Sequence, residues 1–230
     1  MKDMLGLSIP LFDEEAVCEE VVHSLDSALA EAGIPRKLLL VNNGSKDQTS
    51  ALINRLATQL DSCTALHLSD NAGYGGGILA GMRALNTPIL GWYWGDGQVP
   101  AQAVVDCYHQ LTESGLPLAK ARRTSRFDGP QRERISRVYN LLLSALAVGV
   151  EDINGCPKLF TREAWERLAP ASTDWFLDAE VVLRAVEEDL AWGQADTVMN
   201  ARQGGSSKVK LSTIAEFAQH LWAWRGGWRP

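Results

Sequence analysis

One beat runs through the first half of this chain: a short apolar run, then a longer stretch whose apolar residues recur at helical spacing. The apolar runs are Leu5–Ile9, Leu38–Val41, Ala65–Leu68 and Ile89–Trp94. The helical stretches are Glu14–Ala32, Asp47–Leu60, Gly76–Leu85 and Ala101–Leu111. Short runs bounded by turn residues read as buried strands, and strands joined by helices read as βαβ units. The chain is therefore expected to form an α/β fold, a Rossmann-like, mostly parallel sheet flanked by helices. Ligands of such sheets bind beyond the carboxyl ends of the strands. Chemistry is expected at Pro10–Glu15, Asn42–Ser45, Asp70–Gly77 and Gly95–Pro100.

The second half reads differently. Lys120–Arg137 is basic and polar and suggests a mobile loop running into a helix, with Ile135, Val138, Tyr139 and Leu142 on one face. Asp152–Phe160 is compact and turn-rich, a helix is expected from Asp178 to Leu190, and Arg202–Lys208 is a Gly/Ser-rich loop. Ser212–Trp224 has the pattern of a last amphipathic helix. With no repeat and no linker, the 230 residues are expected to form a single domain, 211–230 being a C-terminal amphipathic helix and tail.

Composition removes several function classes. At 46% hydrophobic and 22% charged residues, the chain is neither disordered nor fibrous. Its 28 acidic against 22 basic residues give a net charge of −6, which argues against nucleic acid as the main partner. Cys18, Cys63, Cys107 and Cys156 are scattered, so free thiols in a reducing cytoplasm are expected rather than a zinc site. No stretch has the length of a membrane span, and the N-terminus does not read as a signal peptide. The expected location is cytoplasmic, with a peripheral contact at the inner face of the membrane as an option. That option rests on Phe217, Leu221, Trp222, Trp224 and Trp228 with Arg225 and Arg229. Such aromatics beside Arg suit a bilayer surface, and they equally suit a helix packed on the core.

Three segments carry candidate chemistry. Asn42-Asn43-Gly44-Ser45 follows a strand, where small polar groups can bond the edge of a heterocycle; an N-capped turn at Ser45 or Asp47 would look the same. Asn71-Ala72-Gly73-Tyr74-Gly75-Gly76-Gly77 makes room either for a diphosphate at a helix start or for a tight turn. Trp94-Gly95-Asp96-Gly97-Gln98 offers a carboxylate and an amide carbonyl to Mg²⁺ or Mn²⁺, or forms an ordinary Asp-Gly turn. His23, His67, His109 and His220 show no ligand or triad spacing and are assigned no chemistry.

Taken in order, Ile9-Pro10-Leu11-Phe12-Asp13-Glu14-Glu15, the Asn42–Thr49 run, Asn71-x-Gly-Tyr-Gly and Gly91-x-x-x-x-Asp96-x-Gln98 resemble the family 2 glycosyltransferases of the GT-A fold. The likeness continues through Asp152–Phe160, Leu177-Asp178-Ala179-Glu180 and Arg202-x-Gly-Gly-Ser206-Ser-Lys208. It is strongest to the polyprenyl-phosphate glycosyltransferase branch, which includes dolichol-phosphate mannose synthases. The resemblance implies that Pro10, Phe12, Glu14, Asn42, Asn43, Ser45, Asn71 and Gly75 hold the donor nucleotide. It implies that Asp96 and Gln98 hold Mg²⁺ or Mn²⁺, Asp96 thereby being catalytic, and that Asp178 is the catalytic base. Arg122, Arg126, Arg132, Arg202, Ser206 and Lys208 match phosphate-holding positions. Two departures stand out: Trp94 replaces the first Asp of the Asp-x-Asp metal motif, and Asn42-Asn43 replaces the base-reading Asp pair.

The implied reaction moves a sugar from a nucleotide-diphospho-sugar to an acceptor, with inversion. The acceptor is a polyprenyl phosphate or a soluble small molecule of a biosynthetic pathway. The alternative, suggested by Trp94 and the Asn pair, is a sugar-nucleotide-binding protein without catalysis. A phosphate acceptor attacks as the ion it already is, whereas a hydroxyl needs a base.

Overall fold

The computed structural model describes residues 3–126, 150–201 and 211–230, and side chains throughout these except at 126 and 211–216. Its strands are β1 (Leu5–Leu11), β2 (Arg36–Asn43), β3 (Cys63–Leu68), β4 (Ile89–Trp92), β5 (Leu118–Arg126), β6 (Lys158–Thr161) and β7 (Trp192–Met199). They form one sheet in the order β3-β2-β1-β4-β6-β5-β7. β6 is antiparallel to both its neighbours, and the other pairings are parallel. The expected α/β architecture is present.

The described helices are α1 (Cys18–Glu31), α2 (Thr49–Gln59), α3 (Gly73–Ala84), α4 (Gln102–Ser114), α5 (Arg162–Leu168), α6 (Leu177–Glu187) and α7 (Leu211–Arg225). Alternate residues of β1 explain how helices fit both faces. Leu5, Leu7, Ile9 and Leu11 are fully buried in a cluster with α1, α2 and α4. Gly6 and Ser8 face the other way, and their smallness lets Thr87 and Gly81 come close. On that second face Ile78, Leu79 and Met82 of α3 pack with Trp92, Phe160, Trp165, Leu177 and Val181. A third cluster joins Phe176, Val182 and Leu183 to Phe217, Leu221 and Trp224, so α7 lies against α6.

Two expectations change. Lys120–Arg126 is not a loop: it is the continuation of β5, paired with β7 from Lys120↔Gln194 to Arg126↔Met199. The neighbouring strand overrides a polar sequence, and the expected helix around Ile135 lies outside the described residues. The second change is at α3, which starts at Gly73 and so takes the glycine run into its first turn. Among the described residues no helix is long and apolar enough to cross a membrane.

Candidate active site

β1, β2 and β4 are adjacent and parallel, so the segments after Leu11, Asn43 and Trp92 emerge at one edge. The first two are laced together. Asp13 takes a positive φ of 52°; its N–H donates to Ser45 Oγ at 3.1 Å, and its carboxylate accepts from Lys46 N–H at 2.8 Å. Glu14 N–H donates to Thr49 Oγ1 at 2.9 Å and Glu15 N–H to Asp47 Oδ2 at 3.1 Å. Burial pushes the Asp47 carboxyl up, but its bonds from Thr49 and Glu15 win and hold it below the usual range. Pro10 and Phe12 are half-buried beside this lacing, while Glu14 is nearly buried.

The polar groups expected to read a base are engaged within the protein. Asn42 Oδ1 accepts from Ser45 N–H at 2.9 Å, and its Nδ2 lies 3.2 Å from His67 Nδ1. Asn43 accepts from Ala72 N–H at 3.0 Å and donates to Gly73 O at 2.9 Å. Asn71, exposed at the surface, accepts from Gly73 N–H at 2.8 Å. Amides donate and accept at once, which two carboxylates could not do here. Asn43 therefore clamps the turn that opens α3, while Asn42 holds the turn at Ser45. Gly75 is closely packed: an added Cβ would run into the Ser172 carbonyl and come within 2.8 Å of Asp174 O. Its missing side chain makes room for the 172–174 backbone.

The third segment follows β4. Gly95 packs on Leu11 and the Pro10 carbonyl, which sets the Trp94–Gln98 turn beside the first loop. Asp96 is half-exposed, and its Oδ1 accepts from Gln98 N–H at 3.1 Å. Gln98 is 2% exposed; its Nε2 donates to Asn200 O at 3.2 Å, leaving the side-chain carbonyl as its acceptor. Trp94, in the first metal-motif position, has no lone pair to give. Its indole N–H donates to Tyr74 Oη at 2.8 Å, and the Arg123 guanidinium lies 5.7 Å over its ring.

Asp178, at the start of α6, does not have the surroundings expected of a free base. It is 3% exposed. One oxygen is paired with the Lys158 ammonium, and the other accepts from Tyr74 Oη at 2.7 Å. Lys158 is fully buried, also bonds Gly155 O at 2.8 Å, and lies 5.5 Å over the Trp92 ring. A carboxylate so held must first release a partner before it can take a proton from an acceptor.

The basic residues divide. Arg122 is committed: Nε and Nη2 donate to Asp196 at 2.7 and 2.8 Å, and Nη1 pairs with Glu151. Its fork is filled by carboxylates in this structure, so a phosphate would have to displace one of them. Arg123 is buried against Asp152, with Nε at 2.9 Å from Oδ2. Burial pushes the Asp152 carboxyl up, but Arg123 outweighs it and holds the group below its ordinary value. Lys120, directly opposite Lys158 across the strands, donates to Glu151 O at 2.7 Å and Asp152 O at 3.1 Å. Burial, with the Lys158 charge behind it, pushes its pKa down to about 8. Arg132, Arg202, Ser206 and Lys208, like the side chain of Arg126, lie outside the described residues.

Tyr74, Lys158, Lys120 and Arg123 are not among the site residues that the sequence implies. The available signal was a lysine inside an otherwise apolar strand, at Leu-Ala-Lys120-Ala and Pro-Lys158-Leu-Phe, since a buried lysine requires a partner. His220 is not isolated either: Nδ1 stands 3.3 Å from Asp174 Oδ2, and its ring stacks on Trp228 at 5.1 Å. Among the described residues no group of three His, Cys, Asp or Glu side chains could hold a metal ion by itself.

Comparison with known proteins places this geometry. The family described as Glycosyl transferase family 2 matches residues 7–168. An undecaprenyl-phosphate 4-deoxy-4-formamido-L-arabinose transferase of Pseudomonas aeruginosa (strain LESB58) is 27% identical over 156 residues, 67% of this chain and 45% of that protein. The glycosyltransferase YkoT of Bacillus subtilis (strain 168) is 25% identical over 228 residues, 94% of this chain and 65% of the other. The chain thus spans about half the length of the curated arabinose transferases it matches. Glucosyl-3-phosphoglycerate synthase of Mycobacterium tuberculosis, crystallised with Mn²⁺, UDP-glucose and phosphoglyceric acid, superposes with a TM-score of 0.72 at 19% identity, over 96% of this chain and 78% of that one. The fold is that of the GT-A glycosyltransferases, and the chain belongs to glycosyl transferase family 2.

Proposed function

We propose that this family 2 glycosyl transferase moves a sugar from a nucleotide-diphospho-sugar to an acceptor, inverting the anomeric carbon. The observation that carries the reading is the meeting, at one sheet edge, of the laced β1 and β2 loops with the half-exposed Asp96 turn. The names of its relatives support it: they are sugar transferases, and the structural neighbour was crystallised with UDP-glucose.

Breaking the bond between sugar and diphosphate develops positive charge on the sugar and negative charge on the departing phosphate. The leaving group is the harder problem for a chain of net charge −6. Asp96 and the Gln98 carbonyl are hard oxygen donors that fit Mg²⁺ or Mn²⁺, provided the diphosphate and water complete the shell. Bound there, a divalent ion supplies positive charge where the phosphate departs. Arg126, Arg132, Arg202, Ser206 and Lys208 are assigned to the phosphates on sequence grounds. The nucleoside is assigned to the Pro10–Glu14 and Asn42–Ser45 loops, with backbone groups as its polar contacts, since the Asn amides and the Ser45 hydroxyl are already bonded within the protein.

The state of Asp178 favours a phosphate acceptor over a hydroxyl. A phosphate is ionised near neutral pH and needs no base, and Asp178 already holds Lys158 and Tyr74. A polyprenyl phosphate, as the relatives' names suggest, fits this requirement. Contact with the bilayer would rest on Trp222, 78% exposed on α7, with exposed Arg225 one turn away.

The test is a melting-temperature panel of UDP, GDP, CDP and dTDP sugars with Mn²⁺ or EDTA, followed by transfer to a short-chain polyprenyl phosphate in detergent. One donor should raise the melting point and be consumed only when the acceptor is present. Binding without turnover would make this a sugar-nucleotide-binding protein instead, and no binding at all would end the reading.

A further inference from the structure

We propose that Tyr74 is a positioning residue for the transfer, acting through one hydroxyl on both the turn after β4 and the start of α6; this rests on the glycosyl-transfer reading above. Tyr74 Oη accepts from Trp94 Nε1 at 2.8 Å and donates to Asp178 Oδ2 at 2.7 Å. An indole N–H only donates and a carboxylate only accepts, whereas a hydroxyl does both. The hydroxyl is therefore a joint with a fixed direction, Trp94 to Tyr74 to Asp178, closed at the far end by Lys158.

Both the ring and the backbone of Tyr74 are fixed. The ring stacks on Trp175, with centroids 4.2 Å apart and planes 12° from parallel. Gly73 and Gly75 admit the 172–174 backbone, and Gly76 N–H donates to Thr173 O at 2.9 Å. Burial, then the Asp178 charge, push the phenol well above its ordinary pKa, so the hydroxyl keeps its proton.

The consequence is geometric. Trp94 heads the turn that carries Asp96, and Asp178 stands in the first turn of α6. One oxygen atom ties the β4 turn, where the diphosphate is assigned, to the start of α6. Tyr74 need touch neither substrate: it anchors the turn that carries Asp96 against α6, and small misplacements of the groups around a departing phosphate are costly in rate.

The experiment uses the nucleotide sugar that shifts the wild-type melting point most, with a short-chain polyprenyl phosphate as acceptor. Tyr74→Phe keeps the ring and removes the joint. Expected are a donor dissociation constant and KM within about threefold of wild type and a kcat lower by about tenfold or more, short of the roughly 100-fold that a 1 Å misplacement can cost. Trp94→Phe should lose less, and the double variant should be no slower than Tyr74→Phe, since both break one chain. The ¹⁵N indole resonance of Trp94 should move in Tyr74→Phe and, through the hydroxyl, in Asp178→Asn. A wild-type kcat in Tyr74→Phe, or losses that multiply in the double variant, overturns the proposal. If Tyr74→Phe does not fold, an unmoved Trp94 indole in Asp178→Asn overturns it. A wild type that transfers from no donor sinks the transfer reading and this proposal together; an active wild type with an indifferent Tyr74→Phe sinks this proposal alone.

Discussion

Buried lysines and crowded glycines decide much of this molecule at the level of single residues. Lys120 is 1% exposed and directly opposite another buried lysine. Its pKa falls from an ordinary 10.5 to about 8, first through burial and then through the Lys158 charge. Between those two values the unfolded chain holds the proton and the folded protein has released it. Stability therefore rises with pH across this window, and the contribution is lost as pH falls through 8. Against a Lys120→Met control, urea unfolding should show wild type gaining about 1.4 kcal/mol per pH unit from pH 8 to 10. A constant difference between the two proteins would mean that Lys120 is not desolvated. Gly75 makes a second prediction at this scale. Any Cβ there meets two backbone carbonyls, Ser172 O and Asp174 O, which cannot swing aside as a side chain would. Gly75→Ala should cost about 1–3 kcal/mol as an overpacked site, although alanine is the better helix former by about 1 kcal/mol. If Gly75→Ala melts at or above wild type, the close approach of α3 to the 172–174 segment is wrong.

The elements differ in how far the sequence foretells them, and the difference is one of contact range. β1, β2 and β4 are legible because strands buried on both faces carry only apolar or small residues, as Leu5–Leu11 and Leu38–Val41 do. The end of β5 was not legible. Arg122 to Arg126 extend past the short β6, so they are polar, and only pairing with β7 makes them a strand. The site shows the same limit. Its three loops could be placed from turn residues at strand ends, but the tasks of their side chains depend on distant partners: Asn43 on Ala72, and Tyr74 on Asp178 more than a hundred residues later. The sequence of the last helix suits both core packing and an exposed apolar surface, and the structure divides its large residues between the two. Phe217, Leu221 and Trp224 are 2–5% exposed against α6, whereas Trp222 is 78% exposed. Phe217→Ala should therefore destabilise by about 3–5 kcal/mol. Trp222→Ala should stay within about 0.5 kcal/mol of wild type. Denaturant midpoints for the two variants test this directly, and equal effects would show that α7 does not dock by that face.

At the scale of the whole molecule, ligand and fold are linked because the site is assembled from pieces far apart in the chain. The loops after β1, β2 and β4 touch one another only when the central strands are in register. A donor that fits them binds the folded state and not the unfolded one. At a hundred times its dissociation constant it should add about 2.7 kcal/mol of stability. For a chain of 230 residues that is about 5–10 °C in melting temperature, taking about 2–4 °C per kcal/mol. How much of the shift depends on a metal follows from the ligands available. Asp96 is the single carboxylate of the β4 turn, Trp94 having replaced its partner, so a divalent ion gains most of its remaining oxygens from the diphosphate. Mn²⁺ alone should then leave the melting point nearly unmoved, the nucleotide alone should give part of the shift, and the two together the whole of it. In Asp96→Ala the increment due to Mn²⁺ should vanish while the part due to the nucleotide persists. Were Mn²⁺ to give the same increment in Asp96→Ala as in wild type, the ion would have to be held elsewhere, and the turn after β4 would lose its assigned role. Were EDTA to leave the wild-type shift and turnover unchanged, the departing phosphate would be neutralised by the chain's own cations, and the replacement by Trp94 would mark a site that works without a metal.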